Sequence, residues 1–187
     1  MSATELSIPG TFVLESPVRT DDRGFFREWF SLPDLVDAGL SFQTEQANLS
    51  FSKRDVVRGL HYSIAPQGQS KLVTCVVGEF DDVIVDIRVG SPKFGTVEVV
   101  HLAADAGISV LLPMGVAHGF CVTSDTAAIS YLLSSPFNGP MELEIDAFDE
   151  EINVPWQLRG AAVQSEKDAK APSLAQRKAA GELPHFA

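Results

Sequence analysis

His61 and Lys71 are the residues around which chemistry can be built. The run Arg58-Gly59-Leu60-His61-Tyr62 is followed closely by Gln69-Ser70-Lys71-Leu72-Val73, and both read as neighbouring strands. An imidazole beside an ammonium group, inside an apolar β scaffold, suits removal of a proton next to a carbonyl and support of the resulting oxyanion. A lone histidine in a β protein is more often structural. Arg58 and Lys71 shift that balance, because a core does not gather cations without an anion to receive them. Strict alternation sends Arg58 and His61 to opposite faces. A bulge at Gly59 would turn both into one cavity.

Other side chains carry weaker signals. Tyr131 is one of two tyrosines and lies in an otherwise apolar run, Ala127 to Leu133. It reads either as a core tyrosine with its tip at a rim or as a proton donor, since a phenol of ordinary pKa, about 10, keeps its proton until an enolate needs it. Gln46 and Asn48 share one strand face, either solvated or reading a polar ligand. His118, after the Pro113 to Gly115 turn, either bonds a turn backbone or contacts the cavity. Arg23 and Arg27 stand near Phe25, Phe26 and Phe30, a combination suited to stacking a base and gripping phosphate, or to a subunit contact. The four histidines include no His-x-His pair, and no cysteine cluster has ligand spacing, so a metal is not expected.

These residues need a β framework to converge. Strands are expected at Thr11–Glu15, Phe25–Ser31, Thr44–Ser52, Val56–Ser63, Ser70–Val77, Asp82–Arg88, Thr96–Ala103, Ser109–Leu112, His118–Thr123 and Thr126–Ser134, with a turn at Asp21–Gly24. Short strands at this spacing indicate an all-β sandwich or barrel. In the sixth of them, Val83, Val85 and Ile87 alternate with Ile84, Asp86 and Arg88, which predicts one core face and one partly polar face. Leu32 to Leu40 reads as a short helix. So does Ser173 to Ala180, with Ser173 as N-cap and Gly181 beyond its end. The chain divides into a body over residues 1–160 and a tail over 161–187.

The 187 residues are 45% apolar and carry a formal net charge of -11. That charge argues against nucleic-acid binding. Cys75 and Cys121 sit in apolar runs and read as buried free thiols of a reducing cytoplasm. Neither a signal peptide nor an apolar run long enough to span a membrane is seen.

Taken together, the motifs resemble the dTDP-4-dehydrorhamnose 3,5-epimerase family from about Asp21 through Asp168. The landmarks are Asp22-Arg23-Gly24-Phe25-Phe26, Gln46-x-Asn48-x-Ser50, the His61 and Lys71 segments, Val85-Asp86-Ile87-Arg88 with Ser91-Pro92 and Phe94-Gly95, Pro113 to Phe120, and Ser165-Glu166-Lys167-Asp168. The resemblance implies a cupin-type jelly roll with a few short peripheral helices, working as a homodimer without cofactor or metal. It implies a dTDP-4-keto-6-deoxyhexose substrate, epimerised at C3, C5 or both. His61 would be the base, Asp168 its partner, Lys71 the support of the C4 oxyanion and Tyr131 the acid. Oxyanion support of this kind is often worth about 3 kcal/mol. Substrate contacts fall on Arg23, Phe26, Glu28, Gln46, Asn48, Arg58, Lys71, His118, Glu142 and Lys167, with segment 23–28 reaching into the partner's site. Pro136-Phe137 replaces a tyrosine pair found in many rhamnose-pathway members, and the ending resembles epimerases of antibiotic deoxysugar pathways. A 3,4-ketoisomerase and a non-catalytic sugar-binding cupin are the rival readings.

Overall fold

The computed structural model describes residues 1–66 and 68–186. In chain order the elements are β1 (Ser2–Glu5), β2 (Phe12–Glu15), β3 (Val18–Asp21), β4 (Gly24–Arg27), α1 (Leu32–Asp37), β5 (Gln46–Lys53), β6 (Val57–Ser63), β7 (Lys71–Val77) and β8 (Glu79–Val85). Then come β9 (Val97–Ala103), β10 (Ile108–Leu112), β11 (Ala117–Val122), β12 (Thr126–Leu133), β13 (Glu142–Glu144), α2 (Glu166–Ala169) and α3 (Leu174–Ala179).

Two antiparallel sheets form a jelly-roll sandwich. One has the order β1-β2-β10-β7-β12-β5 and the other β13-β6-β11-β8-β9, while β3 and β4 make a separate hairpin. Period-two alternation sends one row of each strand inward. Val73, Cys75, Val110 and Ile129 of the first sheet meet Phe80, Ile84, Phe120 and Val122 of the second in the central core. Burial also pushes the Cys75 and Cys121 thiols up to about 11, so both are protonated and poorly nucleophilic at neutral pH.

Both outer faces are partly covered as well. Leu35 of α1, with Trp29, Phe30 and Phe42, packs on Leu14, Leu72, Leu111 and Leu132. On the other side Leu174 and Leu183 of the tail pack on Leu60, Tyr62, Val83 and Val85.

That second cover corrects the expected polar face at Asp82–Arg88. The strand runs Glu79–Val85, and its last three residues, Val83, Ile84 and Val85, are apolar and buried on both sides, because the tail shields the face that would otherwise meet water. Asp86 and Arg88 lie beyond its end as a buried ion pair: Arg88 Nη2 is 2.7 Å from Asp86 Oδ2, and the Ser91 hydroxyl donates to the same oxygen at 2.6 Å. Hydrogen bonds satisfy these charges, so they are structural rather than a ligand lining.

The expected strand at Phe25–Ser31 is instead the β3–β4 hairpin, closed by the predicted turn, followed by irregular chain. Trp29 and Phe30 gain more by covering the sheet than by continuing the strand. The helix at Leu32 is shorter than expected. The tail helix follows its capping signal: the Ser173 side chain accepts from Gln176 N, and the Gln176 side chain answers to the cap.

Candidate active site

A cavity of about 530 Å³ opens at one end of the sandwich, walled by β5, β6, β7, β12 and the tail. Arg58 and His61 both line it. The register explains how. His61 pairs with His118 and Arg58 with Phe120, so three steps on β6 oppose two on β11. The extra residue is a bulge that returns both side chains to one side. Gly59 makes it feasible: its φ is +119°, and a Cβ there would lie 2.7 Å from Gly119 Cα and from His118 O.

The tail completes the wall. Ser165 caps α2 by accepting from Asp168 N at 3.1 Å, which fixes Asp168 in the first turn. From there Asp168 Oδ1 stands 2.7 Å from His61 Nε2. Burial pushes the Asp168 pKa up, but the His61 contact, the Ser165 hydroxyl and the Gly59 N–H outweigh it, and the carboxyl is held below its ordinary value. Asp168 therefore stays ionised and, in the tautomer that carries the proton on Nε2, accepts from His61. That leaves the Nδ1 lone pair to act as a base.

Lys71 and Tyr131 come from the opposite sheet. Both belong to the inward rows of paired strands, with Leu133 opposite Lys71 and Val73 opposite Tyr131. Burial pushes the Lys71 ammonium pKa down, and the charges of Glu142 and Asp82 partly restore it. Lys71 pairs closely with neither carboxylate, so its N–H groups are available to a ligand oxygen.

Asn48, Glu142 and Lys167 also line the cavity. Glu142 Oε1 is buried and has no hydrogen-bond partner among the described residues. Gln46 stands just behind the wall. It donates to Asn48 Oδ1 at 2.9 Å and accepts from Phe137 N at 2.9 Å, which positions the Phe137 ring at the rim.

Several expected contacts lie elsewhere. Arg23 and Phe26 are exposed on the β3–β4 hairpin, where Arg23 pairs with Asp21, and Glu28 follows on exposed chain. None of them lines the cavity. Arg27, read as a phosphate grip, instead donates to Thr74 Oγ1 at 2.7 Å and to the Cys75 carbonyl at 2.5 Å. His118 is buried behind the lining, with Nε2 2.6 Å from Asp82 Oδ1. Sequence reasoning missed Asp82, although an acid inside the inward row Phe80-Asp82-Ile84 was a readable signal. It also missed Gln164 and Ser165 of the wall. Among the described residues no group of three or more His, Cys, Asp or Glu is placed to hold a metal ion.

Fold and site define a class: a cupin-type sandwich enzyme whose cavity holds an imidazole–carboxylate pair, a phenol and a partly buried ammonium. The sequence profile of the family described as dTDP-4-dehydrorhamnose 3,5-epimerase matches residues 5–176, and the chain belongs to that family. It is 41% identical to the dTDP-4-dehydrorhamnose 3,5-epimerase of Mycolicibacterium smegmatis, over all of this chain and 92% of that protein. Among solved structures it resembles NovW, a 4-keto-6-deoxy sugar epimerase from the novobiocin cluster of Streptomyces spheroides, with a TM-score of 0.94 and 38% identity over 98% of this chain and 92% of that one. It also resembles ChmJ, a 3'-monoepimerase from Streptomyces bikiniensis in complex with dTDP-quinovose, with a TM-score of 0.91 and 35% identity over 96% of this chain and 91% of that one.

Proposed function

We propose that this chain epimerises a dTDP-4-keto-6-deoxyhexose at C3, at C5 or at both. The observation that carries the reading is the division of the site between two sheets. His61 stands on the five-stranded sheet and Tyr131 on the six-stranded sheet that faces it, with one cavity between them. Inversion needs a base on one side of a carbon and an acid on the other.

The hydrogens at C3 and C5 are acidic because each flanks the C4 ketone. His61 Nδ1 takes one of them, and the C–H electron pair becomes an enolate with charge on the C4 oxygen. Lys71 donates to that oxygen. The Tyr131 hydroxyl then gives its proton to the opposite face of the carbon. Solvent restores the phenol and removes the proton from His61. Arg58, Asn48, Glu142 and Lys167 hold sugar and nucleotide, which preorganises the carbon acid. An NMR time course in deuterated water with dTDP-4-keto-6-deoxyglucose tests this. Deuterium enters C3 or C5 and an epimer accumulates. A ketone that migrates to C3, or a sugar bound without exchange, would sink the reading.

The active unit is a homodimer in this reading. The outward row of edge strand β5 leaves Leu49 71% and Phe51 61% exposed, an apolar stripe suited to a second copy. Association there would bring Arg23, Phe26 and Glu28 of one protomer to the other's cavity. Leu49→Asp with Phe51→Asp is expected to give monomers in sedimentation and at least about a tenfold loss of exchange. A monomeric double variant with parental activity would contradict the shared site. Buried free thiols support a reducing, cytoplasmic setting. No helix among the described residues is long and apolar enough to cross a membrane.

A further inference from the structure

Glu144 lies directly opposite His61 in the β13–β6 ladder, yet the proposed chemistry does not use it. Its carboxylate binds two cations from the tail. Oε2 is 2.8 Å from Lys167 Nζ, and Oε1 is 3.5 Å from Arg177 Nη2. Arg177 is anchored independently: Nε donates to the Glu144 carbonyl at 2.9 Å and Nη1 to Glu182 Oε2 at 2.7 Å. Lys167 has no such anchor among the described residues. Its side chain is 58% exposed, against 15% for Glu144. The Lys167 contact is short but poorly aligned. Oε2, sealed from solvent, gains no proper hydrogen bond from it. One carboxylate therefore holds the cavity's exposed lysine by charge more than by geometry.

We propose that Glu144 is an internal competitor for Lys167, a specificity-setting carboxylate that holds the lysine until a more highly charged anion displaces it. The inference rests on the nucleotide-sugar reading, in which Lys167 meets the diphosphate. A diphosphate carries more charge than one carboxylate and offers oxygens on several sides, so it takes Lys167 over, whereas a singly charged or neutral sugar does not. Glu144 keeps its Arg177 contacts when Lys167 leaves, so the wall stays in place.

Calorimetric titration with dTDP at low salt tests this. Glu144→Gln is expected to bind dTDP about threefold or more tightly than the parent, with a thermal midpoint somewhat below the parent's because Arg177 loses a charged partner. In a Lys167→Ala background the same substitution is expected to change affinity by less than about 1.5-fold, because the two residues act through one another. A gain that persists without Lys167 would mean plain repulsion between Glu144 and the ligand, and would overturn the proposal. So would unchanged or weaker binding by Glu144→Gln. If Glu144→Gln does not fold, Glu144→Asp decides: it keeps the charge but is one methylene shorter, and tighter binding supports the competitor while parental binding overturns it. A parent that binds no dTDP at millimolar concentration overturns the nucleotide-sugar reading and this inference together. A parent that binds dTDP alongside variants that gain nothing overturns this inference alone.

Discussion

Replacing His61 by alanine is expected to lower deuterium wash-in at C3 and C5 by about 10³-fold or more, with dTDP affinity changed only slightly. A positioned general base commonly contributes 10² to 10⁴, and among the described residues no second imidazole lines the cavity. Asp168 is the adjacent carboxylate, but it points at the imidazole and is a weak base while its pKa is held down. Asp168→Asn is expected to lose nearly as much. The amide cannot stabilise an imidazolium and favours the wrong tautomer. The pair also makes acid stability informative. The Asp168 pKa is lowered in the folded protein, so its contribution is present above the unfolded carboxylate value of about 3.9 and fades as pH falls through the folded value. His61→Ala removes the chief partner, and the acid-unfolding midpoint is expected to move to higher pH. Exchange at the parental rate in His61→Ala would remove the base from the account.

The second large effect is expected from Lys71→Met. Methionine keeps the length and loses the charge, so the C4 oxyanion loses its ammonium donor. Removing one such donor typically costs 10² to 10³ in rate. Stability is expected to move the other way, by up to about 1 kcal/mol in urea unfolding. Lys71 is held where burial disfavours its charge, and no carboxylate among the described residues pairs closely with it. A thioether is at ease there. A residue whose loss stabilises the fold and disables the reaction serves function rather than structure. If Lys71→Met unfolds the protein, or exchanges within twofold of the parent, that assignment is wrong.

Strand positions were readable in the sequence because alternation and turn residues are local signals. Val57–Ser63 and Lys71–Val77 lie within a residue of their expected bounds. The bulge at Gly59 was readable too, since only an extra residue reconciles Arg58 with His61. What failed was long-range. Nothing local to Val83–Val85 says that a tail some ninety residues later will cover the outer face, so the polar face expected there did not form. Nothing local to Arg27 shows that the Cys75 carbonyl will claim it. The partnership of His61 with Asp168 was available only through family resemblance, because 107 residues separate the two. Glu144 looked like one charge among several until the fold set it beside Lys167.

The account depends on two groups treating one carbon from opposite sheets, and Tyr131→Phe in deuterated water tests that most directly. Proton removal by His61 survives, so deuterium is expected to enter the sugar with retained configuration while epimer formation falls by about 10²-fold or more. Epimer formed at the parental rate by Tyr131→Phe would contradict it.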